Sequence, residues 1–256
     1  MDSTFSLNHK STLPYNQIVI NSIFTLSHAE IEALLLSAKV AVFCTLAICI
    51  PGIGVAWLLA KKSFIGKSLL DSIVHLPLVL PPVIPGFLLL MLLGSQGIVG
   101  KWLYNTFGIS IAFTWVGAVV ASSVMAFPLM VRSARLAISQ VDNGLEAAAQ
   151  TLGAHPLRVF FTVTLPLAMP GIVTGLILAF SRSLGEFGAT ITFVGNIEGE
   201  TRTLPLAIYT YTQIPGGDMA AIRLVIISMV IALGALMISE RLERSATNRI
   251  SRGNSV

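Results

Sequence analysis

The feature that most constrains the fold is a set of five apolar segments, each long enough to cross a lipid bilayer as a helix. A membrane-spanning helix needs about 20 mainly apolar residues. Only 11% of the residues are charged, compared with about a quarter in a soluble domain, which excludes a typical soluble enzyme and a disordered regulator. The sequence therefore predicts an all-α integral membrane protein with transmembrane segments at Ala33–Ala60, Leu69–Leu93, Ile109–Val131, Leu167–Phe193 and Ala221–Ile238.

The distribution of lysine and arginine predicts the orientation, because these residues accumulate on the cytoplasmic side of membrane proteins. With the N-terminus outside, ten of them fall in the inner segments and five in the outer segments or outer span ends. We therefore expect an N-out, C-in topology. Residues 1–32 then form an extracytoplasmic segment, residues 33–243 the transmembrane domain and residues 244–256 a basic cytoplasmic tail. The apolar run Ile18–Leu26 is too short to span the bilayer.

The second apolar segment is unusual because it contains Pro77, Pro81, Pro82 and Pro85. Each proline removes a backbone donor and disturbs the preceding helical turn, and lipid supplies no replacement partner. A helix broken in this way is either a kinked packing element or an element that lines a translocation path. Pro81 and Pro82 are therefore candidate residues of the path or of its gate.

The fourth apolar segment contains a pair of opposite charges, Arg182 and Glu186. Residues four apart share one face of a helix and can pair, and charges inside a membrane usually face a cavity or a partner helix. The pair is either a structural ion pair or a candidate part of the path or gate. Because the carboxylate cancels much of the arginine field, we do not expect a high-affinity anion site here.

The segment between the third and fourth spans, about residues 132–166, carries the most specific local pattern. Asn143 followed three residues later by Glu146 is a capping-box signal for the start of a helix. The alanine-rich stretch that follows favours a helix, Gly153 is placed to end it, and Pro156 prevents its continuation. The sequence predicts a short helix with a low-relief face, followed by an elbow.

This segment resembles the cytoplasmic loop of ABC-importer permease subunits, which reads Glu-Ala-Ala, three residues, Gly, nine residues, Ile-x-Leu-Pro. Gly153, Val163, Leu165 and Pro166 match with the right spacing, whereas Glu146-Ala147-Ala148 matches in residue type but lies one residue further from the glycine. The resemblance implies a coupling helix that seats in a groove of the ATPase subunit. The implied coupling residues are Glu146, Ala147, Ala148, Gly153, Leu165 and Pro166.

Further stretches resemble the molybdate permease subunits of this family. They are His75–Pro82, Phe180–Thr190, Gly199–Pro205 and Pro215–Gly217. The resemblance implies a homodimeric pore in the bacterial inner membrane, served by a pair of ATPase subunits and a periplasmic molybdate-binding protein. Sulfate/thiosulfate permeases share the core Leu184–Ala189, so another oxyanion remains an alternative, and a proton-coupled secondary transporter is a more distant one.

Other features of the sequence point to no chemistry of their own. Gly66-Lys67-Ser68 imitates the end of a phosphate-binding loop, but Lys61 occupies the position of its first glycine. The four histidines lack metal-ligand spacing, and no nucleophile has a neighbouring base. We therefore expect no catalytic residues, no metal, no cofactor and no nucleic-acid partner. ATP hydrolysis is expected to belong to the partner ATPase.

Overall fold

A computed structural model describes residues 26–253, apart from the side chains at 239 and 242–253. Within this range the chain is all-helical and has no strand, which confirms the predicted fold class. The expected extracytoplasmic segment lies mostly outside the described residues, as does nearly all of the run Ile18–Leu26. The helices are α1 (His28–Lys61), α2 (Lys67–Val79), α3 (Val83–Leu93), α4 (Ile98–Phe107), α5 (Trp115–Ser139), α6 (Asn143–Thr151), α7 (Pro156–Val159), a π-helical turn (Phe160–Thr164), α8 (Leu165–Leu184), α9 (Gly188–Val194), α10 (Leu204–Thr212) and α11 (Asp218–Gly253).

Four stretches of helix are long and apolar enough to cross a membrane, or five if the bent pair α2–α3 counts as one span. The four are His28–Lys61, Trp115–Ser139, Pro156–Leu184 and Asp218–Ile238. The five predicted segments therefore correspond to real helical elements, although the ends of several differ. The last helix runs beyond Ile238 to Gly253, so the polar residues after the predicted span continue the same helix.

The predicted third span, Ile109–Val131, has the wrong limits. Helix α5 begins only at Trp115, since the Thr114 hydroxyl oxygen caps it by accepting from the Gly117 amide at 3.3 Å. Phe113 just before the cap has a φ of 61°, a left-handed conformation that cannot continue a helix. At the other end, α5 continues past Val131 to Ser139, so the first part of the expected loop 132–166 is helical.

The second predicted span is broken into two helices that meet at an angle of 111°. The break falls at Leu80–Pro82, where Leu80 is extended (ψ 143°) and Pro82 is the N-cap of α3. Pro77 is tolerated inside α2, and Pro85 lies in the first turn of α3, where the missing amide of a proline costs little. Pro81 and Pro82 therefore lie at the bend itself.

The fourth predicted span, Leu167–Phe193, is wrong at both ends. Its helix begins on the N-terminal side of Leu167, at Pro156, and it ends at Leu184. After a break, the short helix α9 begins at Gly188. The break contains only Gly185, Glu186 and Phe187, and apolar residues resume at once in α9, so average hydropathy over this stretch gives no sign that the helix stops there.

The centre of the bundle is formed by α1, α5 and α8. Small residues allow these helices to approach closely. A Cβ atom at Gly171 would lie 2.4 Å from the Cβ atom of Ala137, and a Cβ atom at Gly175 would lie 3.0 Å from that of Ser133. The Ser133 hydroxyl also donates to the Gly171 carbonyl oxygen at 2.8 Å. These two glycines therefore let α8 pack closely against α5.

The two ends of the bundle carry different polar contacts. At one end, called the Glu30 end, Arg223 of α11 pairs with the buried Glu30 of α1 at 2.7 Å. Nearby, the Leu204 amide donates to the Ser37 hydroxyl oxygen at 2.6 Å. At the opposite end, called the Lys61 end, α1 finishes beside α6. The loop with the coupling pattern thus lies at the Lys61 end.

Candidate functional site

The helix with the coupling pattern, α6, begins differently from the predicted capping box. Asp142, not Asn143, is the N-cap, and its carboxylate accepts from the Gly144 amide at 2.7 Å. Asn143 is already inside the helix, where its side-chain oxygen accepts from Lys61 Nζ at 2.8 Å. The predicted capping role of Glu146 is therefore wrong, because Asp142 takes the cap position and the Glu146 carboxylate contacts Lys61 and Thr164 instead.

The end of α6 agrees with the prediction for Gly153. Its φ is +87°, a left-handed conformation that glycine adopts without steric cost. The Gly153 amide donates to the Gln150 carbonyl at 2.9 Å, and the Ala154 amide donates to the Ala149 carbonyl at 3.1 Å. This pair of bonds is a complete Schellman motif, so the elbow after α6 has a defined geometry.

Beyond the elbow, the chain returns to the bundle without a loop. Pro156 is the first residue of α7, and the π-helical turn Phe160–Thr164 joins α7 to α8. Leu165 and Pro166 form the first turn of α8, where Leu165 is half-buried and Pro166 is exposed. The matched Leu-Pro pair therefore lies at the start of α8.

Glu146 links α6 to two other elements. One of its carboxylate oxygens lies 3.0 Å from Lys61 Nζ, at the end of α1. The other accepts from the Thr164 hydroxyl at 2.5 Å, at the end of the π-helical turn. Glu146 thus links α6 to the end of α1 and to the π-helical turn before α8.

The remaining surface of α6 is open, since none of its residues is buried. Ala147, Ala148 and Gly153 are all exposed, and the exposed Leu145 and Leu152 flank them. Small side chains between apolar ones leave a low face onto which another protein can pack closely.

The second set of predicted residues meets at the break between α8 and α9. Arg182 Nη1 lies 2.6 Å from Glu186 Oε2, and the Glu186 side chain is only 1% exposed. The predicted shared helix face is wrong, because α8 ends at Leu184 and Glu186 lies beyond it. The ion pair forms nevertheless, between the last turn of α8 and the break that follows it.

The other carboxylate oxygen of Glu186 explains why a new helix can start here. It accepts from the Ala189 amide at 2.7 Å, so it satisfies one of the amides that the first turn of α9 leaves free. The Thr190 hydroxyl in turn donates to the Phe187 carbonyl at 2.9 Å. Glu186 therefore joins the end of α8 to the start of α9 and neutralises Arg182 at the same time.

The bend of α2–α3 packs on this same junction. A Cβ atom at Gly188 would lie 2.6 Å from the Cβ atom of Pro82, and one at Gly86 would lie 2.6 Å from the carbonyl oxygen of Ala189. The structure thus brings Pro82 next to the junction that Glu186 holds. Pro81, Pro82, Arg182 and Glu186 belong to one neighbourhood, although they come from separate parts of the sequence.

Two polar contacts at the Lys61 end were missed in the sequence. The sequence pattern predicts no contact between Lys61 and Glu146, which the structure places 3.0 Å apart. Asp71 of α2 pairs with Arg135 of α5 at 2.7 Å, and both residues fall in or beside predicted apolar segments. The sequence signal that could have revealed these pairs is an acidic residue and a basic residue predicted to lie near the same membrane boundary.

A family comparison agrees with this architecture. Residues 52–248 match the family described as "Binding-protein-dependent transport system inner membrane component". The chain belongs to this family, and it is therefore a membrane-embedded transport subunit of the inner membrane.

Individual relatives narrow the comparison. The chain is 57% identical to the molybdenum transport system permease protein ModB of Escherichia coli K12, over 89% of this chain and 99% of that protein. It is 53% identical to the protein of the same name from Haemophilus influenzae, over 88% of this chain and 98% of that protein. The E. coli and H. influenzae proteins are therefore matched along almost their whole lengths.

Among solved structures, the chain resembles a bacterial ABC transporter involved in the import of the acidic polysaccharide alginate. The TM-score is 0.70 with 19% identity, over 93% of this chain and 85% of the matched chain. At this identity the likeness shows the fold, which is that of an ABC-transporter membrane subunit.

Proposed function

We propose that this chain is the permease subunit of an ATP-driven molybdate importer and forms its transmembrane pathway. The observation that carries the proposal is the 57% identity to the E. coli molybdenum permease across 99% of that protein. The exposed helix α6 and its defined elbow support the coupling part of the function.

In this proposal two copies of the chain form the pore and bind a pair of ATPase subunits, which hydrolyse the ATP. Helix α6 is the coupling helix, and the exposed Ala147, Ala148 and Gly153 form the face that the ATPase contacts. Closure of the ATPases on ATP then displaces α6, and α8 follows because the elbow has a defined geometry and α7 and the π-helical turn lead from it into α8. A periplasmic molybdate-binding protein delivers the anion at the Glu30 end.

The proposed topology is N-out and C-in, so the Lys61 end faces the cytoplasm. Residues 33–243 form the transmembrane domain, residues 1–32 lie outside the cell, and residues 244–256 lie inside. Lys61, Lys62, Arg132 and Arg135 all lie near the Lys61 end of their helices, which supports this orientation.

The bend at Pro81 and Pro82 on the α8–α9 junction is the proposed gate of the pathway. Because Glu186 neutralises Arg182, the anion passes this closely packed contact without binding tightly to it. A tetrahedral dianion that met an unpaired arginine here would be held too strongly to be released. High affinity then belongs to the separate binding protein.

Uptake in cells tests the proposed function. A strain without its own molybdate permease is supplied with this chain, the ATPase and the binding protein, and accumulation of labelled molybdate is measured. We expect accumulation that depends on all three components and that excess sulfate does not abolish. Sulfate accumulation without molybdate accumulation would assign the chain to the sulfate/thiosulfate alternative. Molybdate uptake without the ATPase would favour a secondary transporter.

A further inference from the structure

Lys61 is placed to act as a mechanical link between the first span and the coupling helix. Its ammonium group has three donors, and three oxygens lie within reach. They are the Val141 carbonyl at 3.2 Å, the Asn143 side-chain oxygen at 2.8 Å and Glu146 Oε2 at 3.0 Å. All three belong to the segment that enters and starts α6, so the lysine holds the N-terminal half of this helix.

The link is sheltered from solvent. The side chains of Lys61 and Glu146 are only 14% and 16% exposed, and salt screens such a pair less than a surface pair. Thr164, which donates to the other oxygen of Glu146, is 1% exposed. The contacts Lys61–Glu146 and Glu146–Thr164 therefore connect the end of α1 and the start of α8 through the coupling helix.

An aromatic contact lies beside this polar chain. Trp57 precedes Lys61 by four residues and so shares its face of α1, and its ring lies 5.7 Å from that of Phe160 in an edge-on arrangement. Phe160 begins the π-helical turn, and such turns are frequent at functional sites. Both residues line a cleft of about 200 Å³ between α1 and α6, with Lys61 and Glu146 on its wall.

The coupling helix itself has few other means to move the first span. None of its residues is buried, so it has no apolar face packed into the bundle, and its backbone leads to α5 on one side and to α7 on the other. Lys61 provides the direct polar contact from α6 to α1, beside the indirect routes through α5, which packs on α1, and through Phe160, which contacts Trp57.

We infer that Lys61 is a positioning residue for coupling: through Glu146 it makes the first span move together with the coupling helix. This role rests on the proposed function of α6 as the ATPase-contacting element. It also assigns to Glu146 an intramolecular task that is separate from contact with the ATPase.

The test uses the complete transporter in proteoliposomes, with Lys61→Met, Lys61→Arg and the charge exchange Lys61→Glu with Glu146→Lys. Lys62→Met is the matched control, because Lys62 is the adjacent lysine and its charge lies over the Trp57 ring at 5.4 Å instead of on α6. The readouts are co-purification of the ATPase, thermal stability, ATP hydrolysis stimulated by the anion-loaded binding protein, and anions transported per ATP.

We expect Lys61→Met to assemble and to keep its stability, while stimulation of hydrolysis and transport per ATP fall about tenfold, within the range usual for coupling between sites. Lys61→Arg and the charge exchange should recover most of the loss, and Lys62→Met should behave as the unmodified transporter. Unchanged stimulation in Lys61→Met would overturn the inference. Loss of assembly, or an equal defect in Lys62→Met, would also overturn it, since a structural role or general basicity would then suffice.

The unmodified transporter is measured in parallel with molybdate and with sulfate. If neither anion stimulates hydrolysis, the proposed function fails. If the unmodified transporter responds and Lys61→Met responds equally, only the role of Lys61 fails.

Discussion

Gly188 lies directly against Pro82: a Cβ atom at residue 188 would stand 2.6 Å from the Cβ atom of Pro82 and 3.4 Å from its carbonyl carbon. The contact joins the bend of α2–α3 to the first residue of α9. Because α9 begins where Glu186 satisfies a free amide, the bend and the charged pair share one packed junction.

Substitution Gly188→Leu should block movement at this junction. The added side chain has to displace Pro82, and overpacking of this kind typically costs about 1–3 kcal/mol. We expect the subunit to insert and to bind its ATPase, with molybdate uptake strongly reduced. Gly185→Ala is the control, since the nearest atoms to a Cβ there are 4.0 Å away, and it should transport normally. Normal uptake by Gly188→Leu would contradict the proposed gate.

The Arg182–Glu186 pair should show an asymmetry between its two partners. Arg182→Met leaves a carboxylate that is 1% exposed without its counter-charge, and removal of one partner of a buried pair costs about 3–5 kcal/mol. Glu186→Gln leaves only Arg182, which is 28% exposed and can turn towards water or headgroups. Thermal unfolding in detergent should therefore show a lower Tm for Arg182→Met than for Glu186→Gln.

The double variant Arg182→Met with Glu186→Gln is the control for this asymmetry. It removes both charges while the glutamine can still accept from the Ala189 amide, so its Tm should lie above that of Arg182→Met. A double variant less stable than Arg182→Met would show that the destabilisation does not come from the unpaired carboxylate.

The elbow at Gly153 should control binding of the ATPase. Valine at a φ of +87° is strongly disfavoured because its side chain is branched at Cβ, so Gly153→Val should distort the Schellman motif. We expect a membrane-inserted subunit that co-purifies poorly with its ATPase. Gly153→Asn is the matched control, since asparagine tolerates the left-handed conformation, and it should bind well. If both variants bound the ATPase equally well, the conformation of the elbow would not control ATPase binding.

The proposed orientation predicts where reporters should appear. A reporter fused after Arg244 should be cytoplasmic, and one inserted near Ser95, between α3 and α4, should be external. Both reporters on the same side of the membrane would contradict the N-out, C-in arrangement with α2–α3 as one span.

The sequence predicted the elements whose cause is local. Long apolar stretches identified the helices that can cross a membrane. Gly153 identified the elbow because a left-handed turn favours glycine. The break after Leu184 was missed because its causes are not in the apolar pattern. They are a carboxylate that accepts from the Ala189 amide and the distant Pro82 against Gly188.

The same distinction explains the error at α6. A capping-box spacing at Asn143 and Glu146 is a valid local signal, but Asp142 takes the cap and Lys61 takes the carboxylate of Glu146. Four helices, α2 to α5, lie between Lys61 and Glu146 along the chain, so no local spacing relates the two residues. A contact between distant elements can be inferred only after the helices are placed.

Transport by purified components tests the central claim most directly. Proteoliposomes that contain this chain and its ATPase, with ATP inside and the binding protein outside, are given labelled molybdate with an excess of unlabelled sulfate. We predict ATP-dependent accumulation of molybdate that sulfate does not abolish and that stops when the binding protein is omitted. Failure to accumulate molybdate under conditions in which the same vesicles accumulate sulfate would contradict the assignment.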